Sequence, residues 1–573
     1  MPSRTTLKLS LLAGVLLAAA CAPAATPGSG GSAQAEPPRA PQTLRMVIRA
    51  EPASVAGTVF VATGITTGTQ RRLFNAGMAL KDANSQYRPY LAETLPQLNT
   101  GTWKVTPDGK METTFRLRPN LTWHDGHALT AADFAFASKV YATPDFGLSK
   151  SVPHVYIDEV AATDDRTVVI HWNQPYPDAA QLDTGGLIGL TPLPAHVLQS
   201  PYDQQKESFT THPYWSTEFV GAGPYRIERW EPGAFIDAVA FGGHSLGQPK
   251  IDRLHITWNS DFNATLSVLL AGEADIPGDD SIRVEQGLVL EQEWTARNAG
   301  TVQYRPQLPR FVQVQHRADF AKPADVRDVR VRRALAHAID KNTTNETLFQ
   351  GKAVTTDTLI FPTVSYYSLV DQAATKYPFD LRAAEQLLTS AGYSREADGV
   401  FAGPNGRLDL EVRNIQSAQN DAERSIIADT WRKAGFQISE DAFAPSQNSD
   451  GQALGTFRSL SITSAQASFQ GVNLTEFSKQ SISRAETRWT GQNRGGWSND
   501  AYDQAVTAWS TTLDPDERHR LVAQAMKAFT DDLGALPLEF NPGVIAYASA
   551  VHGISLVTPD SELTWNIYEW DIR

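Results

Sequence analysis

The residues of this chain whose types best suit chemistry crowd into "TWHDGHALTAADFAFASKVY", Thr122 to Tyr141, where His124, Asp125, His127 and Asp133 fall within ten residues. Imidazole and carboxylate at such spacing are the raw material of a metal centre or an acid–base site. A metal centre needs a third ligand and a spacing that aims two imidazoles at one point. His124 and His127 straddle Asp125-Gly126, a turn dipeptide in which Gly takes positive φ and Asp bonds its own backbone. A His pair across such a turn has no fixed geometry, and the chain contains no H-E-x-x-H or related pattern. A turn feeding a helix is the simpler reading. Thr130 stands three residues before Asp133, and Phe134, Ala137 and Ser138 follow at helical spacing, which makes Thr130 an N-cap and Asp133 its capping-box partner. No metal and no cofactor are expected.

Other chemistries find little support. There is no phosphate-binding Gly loop followed by Lys, and the single cysteine, Cys21, lies near the N-terminus. No catalytic residue is assigned, and a secreted hydrolase is a remote alternative. With 573 residues the chain exceeds one core, and about 150 residues per domain gives roughly three or four structural units.

The N-terminus sets the compartment. Arg4 and Lys8 precede an apolar run from Leu9 to Ala20, too short to span a membrane stably and right for the core of a signal peptide at residues 1–20. Cys21 follows directly, as in the lipobox of bacterial lipoproteins, although Ala18 stands where that motif usually has Leu. The Gly/Ser/Pro/Ala tract at 21–42 reads as a flexible tether holding the body close to a membrane. Losing Arg4 and Lys8 takes the net charge from −13 to −15, which argues against a nucleic-acid partner.

Along the body, strands are expected at Leu44 to Ile48, around Phe115, at "RTVVIHW" and at "RLHITW", with a hairpin turn at Asp108-Gly109 and a Gly-Pro bend at "GAGPY". Helices follow at "NATLSVLLAG", ending at Gly272, and at "DVRVRRALAHAID", with Val331, Ala334, Leu335, Ala338 and Ile339 on one face. "FDLRAAEQLLTSAGY" has Asp380 as N-cap and Gly392 as stop, and "AERSIIADTWRKAGFQI" repeats the scheme with Gly435. Near the C-terminus, Leu563, Trp565 and Ile567 alternate as in a strand.

In this order, "LAETLP", "FRLRPNLTWHDGHALTAADFAFA", "GAGPYRIERWEPG", "PKIDRLHITW", "LLAGEADI", "DVRVRRALAHAID" and "FDLRAAEQLLTSAGY" resemble the extracytoplasmic solute-binding proteins of ABC importers, in the family with peptide-binding and nickel-binding members. The resemblance implies an α/β, two-lobed periplasmic-binding-protein fold of type II, hinged between lobes, with an extra subdomain inserted in the first lobe. The first lobe would take residues 43–75, 205–305 and 532–573, the insertion 76–204 and the second lobe 306–531. It also implies capture of a solute of peptide or oligosaccharide class by hinge closure, delivery to ABC permease subunits, a monomer, and a place outside the cytoplasm, lipid-anchored to the cell membrane. A sensory lipoprotein of the same fold that presents ligand without transport is the alternative.

In peptide-binding relatives, a segment of the second lobe supplies aromatic walls and a carboxylate for the ligand amine. By order along the chain that segment is "FRSLSITSAQASFQGVNLTEF", where Gln466, Phe469 and Gln470 stand in those places and no acid occurs before Glu476. Gln313 and Gln315, at alternate positions of "RFVQVQHR", are expected to face the cleft, with a solvated edge as the bland alternative. Trp497 is a candidate wall or a core residue. Phe60 and Thr63 are placed by family position alone.

Overall fold

The computed structural model describes residues 41–58, 67–149, 151–183, 189–278, 280–465, 472–555, 557–559 and 561–573. Cys21, Phe60, Thr63, Gln466, Phe469 and Gln470 lie outside them.

Two mixed sheets carry the two lobes. The first has the order Ile276–Pro277, Thr43–Ile48, Arg253–Trp258, Phe235–Ala240, Tyr225–Glu231, with Thr43–Ile48 parallel to both neighbours. Alternation along Thr43–Ile48 turns Leu44, Met46 and Ile48 into the core. A four-stranded antiparallel sheet, Trp103–Val105, Met111–Arg116, Thr167–Trp172, Ile157–Asp164, shares that core, which helix Ala131–Tyr141 joins through Phe134 and Ala137. Its first hairpin turns at Gly109 with φ of +84°.

The second sheet is six-stranded, in the order Val354–Thr355, Ala535–Ala548, Gly300–Val314, Leu460–Ser464, Asp409–Ile415, Gln437–Phe443. Helix Val329–His337, capped by the Asp328 carboxylate on the Arg330 N–H at 2.8 Å, packs on it through Val331, Ala334 and Leu335, and the next residues, Ala338 and Ile339, stay buried. Asp380 caps helix Leu381–Ser390 by accepting from the Arg382 and Ala383 N–H groups, and Gly392 ends that turn with φ of +92°.

Among the described residues, the two longest strands pair with each other. Gly300–Val314 and Ala535–Ala548 run antiparallel, with 300–306 against 548–542 and 311–313 against 537–535. Between those stretches the register shifts twice, and Pro306, Pro309, Pro537 and Pro542 interrupt the ladder. Proline has no N–H to give, so the pair is weakest there.

The segment that opened the sequence reading settles into a brace. His124 is buried: its Nδ1 accepts from the Gly221 N–H at 3.2 Å, and its Nε2 donates to the Gly223 carbonyl at 3.0 Å. Burial holds its pKa down at about 4, so it is neutral, as that pairing requires. Gly221 and Gly223 in turn press on Phe74, where an added Cβ would meet backbone atoms at 2.0 and 2.3 Å. Two of the stretches that carry the family resemblance are thus packed on each other.

One element differs from expectation. Leu563–Glu569 is a 3-10 helix, not a strand. The buried positions are Leu563, Thr564, Asn566 and Ile567, and Asn566 bonds locally, donating to the Gly553 carbonyl and accepting from the Trp570 indole at 2.9 Å. Side chain to backbone bonding of this kind competes with a ladder, and the apolar alternation concealed it.

Candidate ligand-binding face

Strand Leu460–Ser464 pairs with Val314–Arg310, and Ala465 N–H donates to the Pro309 carbonyl at 3.3 Å. The chain therefore leaves the second sheet at residue 465 beside the crossing between lobes. It is described again from Val472, in a 3-10 helix, Val472–Phe477, that carries Glu476. Burial raises the Glu476 carboxyl to about 7 despite the opposing charge of Arg494. Arg494 donates to the Gln492 side chain at 3.3 Å, and Gln492 offers its carbonyl to Gln313 Nε2 at 3.3 Å. Gln492 thus links Arg494, beside Glu476, to the buried Gln313.

The other two described candidates are committed inside the lobe. Gln315 is fully buried, donating to the carbonyls of Gly455 and Phe457 and accepting from the Arg317 N–H and Nε at 3.2 and 3.1 Å. A cleft-facing Gln315 is corrected to a bridge between strands and loop, and the solvated-edge alternative fails equally. Gln313 is only 5% exposed. Trp497 is a core residue: its indole donates to Asp532 at 2.8 Å, and its ring packs edge-on against Tyr502 and Phe529.

Beneath the crossing lies a charged group that sequence reading missed. Arg310, one residue after Pro309, is buried with its guanidinium on Glu423 and on the Asn420 side-chain oxygen. Glu539, on the partner strand, is buried beside them; burial and the neighbouring Glu423 carboxylate hold its pKa well above the ordinary glutamate range. On the other side, Asn75 ties Gly57 N–H at 2.8 Å, Thr58 meets Thr191 at 3.3 Å, and buried Arg72 pairs with Asp183. These contacts brace the described residues that flank 59–66 and 184–188. Their only sequence signal was an acid or a base in an otherwise apolar or Gly-rich stretch.

Ion pairs also join distant parts of the chain outside these two strands. Arg518, on helix Pro515–Asp532, pairs with Asp178 of the inserted segment at 3.0 Å, with side chains 13% and 10% exposed. Lys352 pairs with Glu291 at 3.1 Å and lies over Tyr304.

The arrangement of two sheets, one inserted sheet and a two-strand crossing can be compared with known proteins. Residues 93–518 match the sequence model of the bacterial extracellular solute-binding proteins, family 5. The chain belongs to this family. It is similar to the dipeptide-binding protein of Escherichia coli, 25% identical over 412 residues that cover 66% of this chain and 70% of that one. It spans about half the length of other curated relatives it matches, among them a Brucella ovis protein named for peptide binding in an ABC transporter, 24% identical over 304 residues. The fold is shared with NikZ of Campylobacter jejuni, solved with Ni(L-His), at TM-score 0.71 and 21% identity, over 92% of this chain and 99% of the other. It is shared equally with the oligopeptide-binding protein of Thermus thermophilus, solved with a pentapeptide, at TM-score 0.68 and 21% identity, over 92% and 96%. These likenesses establish a two-lobed α/β solute-binding fold. Among the described residues, no helix is long and apolar enough to cross a membrane.

Proposed function

We propose that this family member captures an extracytoplasmic solute between its lobes by closing about the Gly300–Val314 and Ala535–Ala548 pair, and delivers it to the permease of an ABC importer. The observation that carries the reading is the crossing itself. The two lobes are joined by one antiparallel pair whose ladder is broken by prolines in its middle, so relative motion of the lobes disturbs few hydrogen bonds. Ligand then favours the closed form only by its extra affinity for it. The lobes are taken to meet at the shifts around 306–309 and 537–542. Cys21 would carry the lipid anchor, and the protein would act as a monomer without catalysis.

A peptide is the solute class favoured by the names of the relatives, with an oligosaccharide as the other candidate. The amine of a peptide enclosed in a dry cleft needs a carboxylate, because an unpaired buried charge costs several kcal/mol. Around the segment at 466–471 the nearest acid in sequence is Glu476, held to about 7 by burial and hence only partly ionised near neutrality, with Arg494 beside it. A neutral ligand, or a peptide held through its backbone, suits this reading, with Gln466, Phe469 and Gln470, and by family position Phe60 and Thr63, as its contacts.

Calorimetry with one peptide, its N-acetylated form and a set of short oligosaccharides tests the class. Acetylation should cost little; a loss above about 3 kcal/mol, with no sugar bound, would sink the reading. Solution scattering on the same samples should show a smaller radius of gyration when loaded. Tight binding with an unchanged scattering curve would refute closure. For the anchor, wild type should partition with bacterial membranes and Cys21→Ala should not.

A further inference from the structure

The sequence offered two imidazoles and lacked a third ligand. The fold supplies one from seventy-one residues away: His196, at the start of helix Ala195–Gln204, brings Nε2 to 2.7 Å from Asp125 Oδ2. His127 Nδ1 lies 3.2 Å from the same oxygen, and the His127 and His196 rings stack with centroids 4.1 Å apart. One ligand atom from each of the three residues falls within 4.8 Å of the others, and all three residues reach solvent. We propose that Asp125, His127 and His196 form a divalent transition-metal site that takes Zn²⁺ through one carboxylate oxygen and two imidazole nitrogens. The fourth position is left to water.

The donor set fits the ion. Tetrahedral Zn²⁺ with bonds of about 2.1 Å needs ligand atoms about 3.4 Å apart. The distances to Asp125 Oδ2 are 2.7 and 3.2 Å, so accessible side chains need to spread by less than about 1 Å to admit the ion. Two nitrogens and one oxygen suit Zn²⁺, Ni²⁺ or Cu²⁺ over Mg²⁺ or Ca²⁺.

The supports are rigid, which separates this group from a chance meeting of surface residues. The carboxylate of Asp133, only 5% exposed, accepts from Thr130 N–H at 2.9 Å, from the Trp123 indole at 3.3 Å and from Ala195 N–H at 3.0 Å. One buried acid thus fixes the turn that carries Asp125 and His127 and the helix start that carries His196. Asp125 is oriented further by His127 N–H, which donates to its other oxygen at 3.1 Å. Such supporting bonds tune a metal's affinity. The ion would clip the turn to the helix and stabilise the inserted segment.

The test is titration of the full, tag-free chain with ZnCl₂ after dialysis against a chelator, followed by calorimetry and by the unfolding temperature. Wild type should bind one equivalent with micromolar or tighter affinity and melt at a higher temperature. His196→Ala and His127→Ala should each weaken binding at least 100-fold while keeping the wild-type circular dichroism spectrum. Two replaceable, solvent-accessible histidines keep the proposal testable if one variant folds poorly. Wild-type affinity weaker than millimolar overturns the site, and so does unchanged affinity in both variants, which would put the ion elsewhere. Neither outcome touches the solute-binding reading, which does not use these residues.

Discussion

Arg72 and Arg310 are both buried guanidinium groups held by carboxylates, yet the molecule balances them differently. Arg72 and Asp183, with side chains 3% and 1% exposed, make one cation and one anion, a strut between helix Thr67–Phe74 and the inserted segment. Arg310 and Glu423 are as deeply buried, but Glu539 adds a second carboxyl to the same site. That site stays close to neutral because Glu539 keeps its proton, which burial and Glu423 favour. In the first site the cation of Arg72 faces the carboxylate of Asp183. The second, beneath the paired strands Gly300–Val314 and Ala535–Ala548, holds a proton as well.

The largest effect should come from breaking the simpler pair. Arg72→Met leaves Asp183 buried without its cation, and such a change costs about 3–5 kcal/mol. Chemical denaturation at neutral pH measures it; a loss below about 1 kcal/mol would mean that Asp183 finds water or another donor, and the comparison would fail.

Glu539→Gln sharpens the contrast. In the folded protein Glu539 holds a proton that the unfolded chain releases above the ordinary value of 4.5. Wild-type stability therefore falls as pH rises from there toward the folded value. Gln has a neutral shape close to that of the protonated acid and releases nothing. The variant should match wild type near pH 4.5 and gain on it by up to about 1.4 kcal/mol per pH unit above. Parallel stability curves for the two proteins from acid to neutral pH would show that Glu539 is ionised in the fold.

These two sites also show how far the sequence could be read. Asp125-Gly126, the Thr130 and Asp133 box, the Asp380 cap and the Gly392 stop were legible because each is settled within a few residues. Family-like stretches such as "GAGPY" pointed to the architecture, and the contact between His124 and Gly221 joins two of them. The pairings of Arg72 with Asp183 and of Arg310 with Glu423 and Glu539 span more than a hundred residues, and no local pattern marks them. His196 was passed over for the same reason. Gln315 misled in the opposite way: a polar residue on an exposed-looking strand suggests a ligand contact, and its partners Gly455 and Phe457 lie 140 and 142 residues away.

The smallest predicted effect concerns the contact between lobes at Arg518 and Asp178. On the hinge reading, this pair sits outside the two connecting strands and can form only when the second lobe and the inserted segment meet, so it favours the closed form. Side chains 13% and 10% exposed place it between a surface pair and a fully buried one, which puts its worth at about 1–2 kcal/mol. Arg518 also lies over the Trp509 ring at 4.8 Å, which holds the guanidinium ready on its own lobe. Arg518→Ala should therefore weaken ligand affinity roughly 5- to 30-fold without touching the ligand, and should enlarge the unliganded radius of gyration. Asp178→Asn should do the same, and the double variant should add little, because both remove one interaction. Lys352→Ala is the control: its partner Glu291 and the ring of Tyr304 lie beside the connecting strands, where closure changes distances least, and its affinity should stay at the wild-type value. If Arg518→Ala and Lys352→Ala behave alike, the Arg518 pair is a static contact of the fold and closure must be driven by the ligand alone.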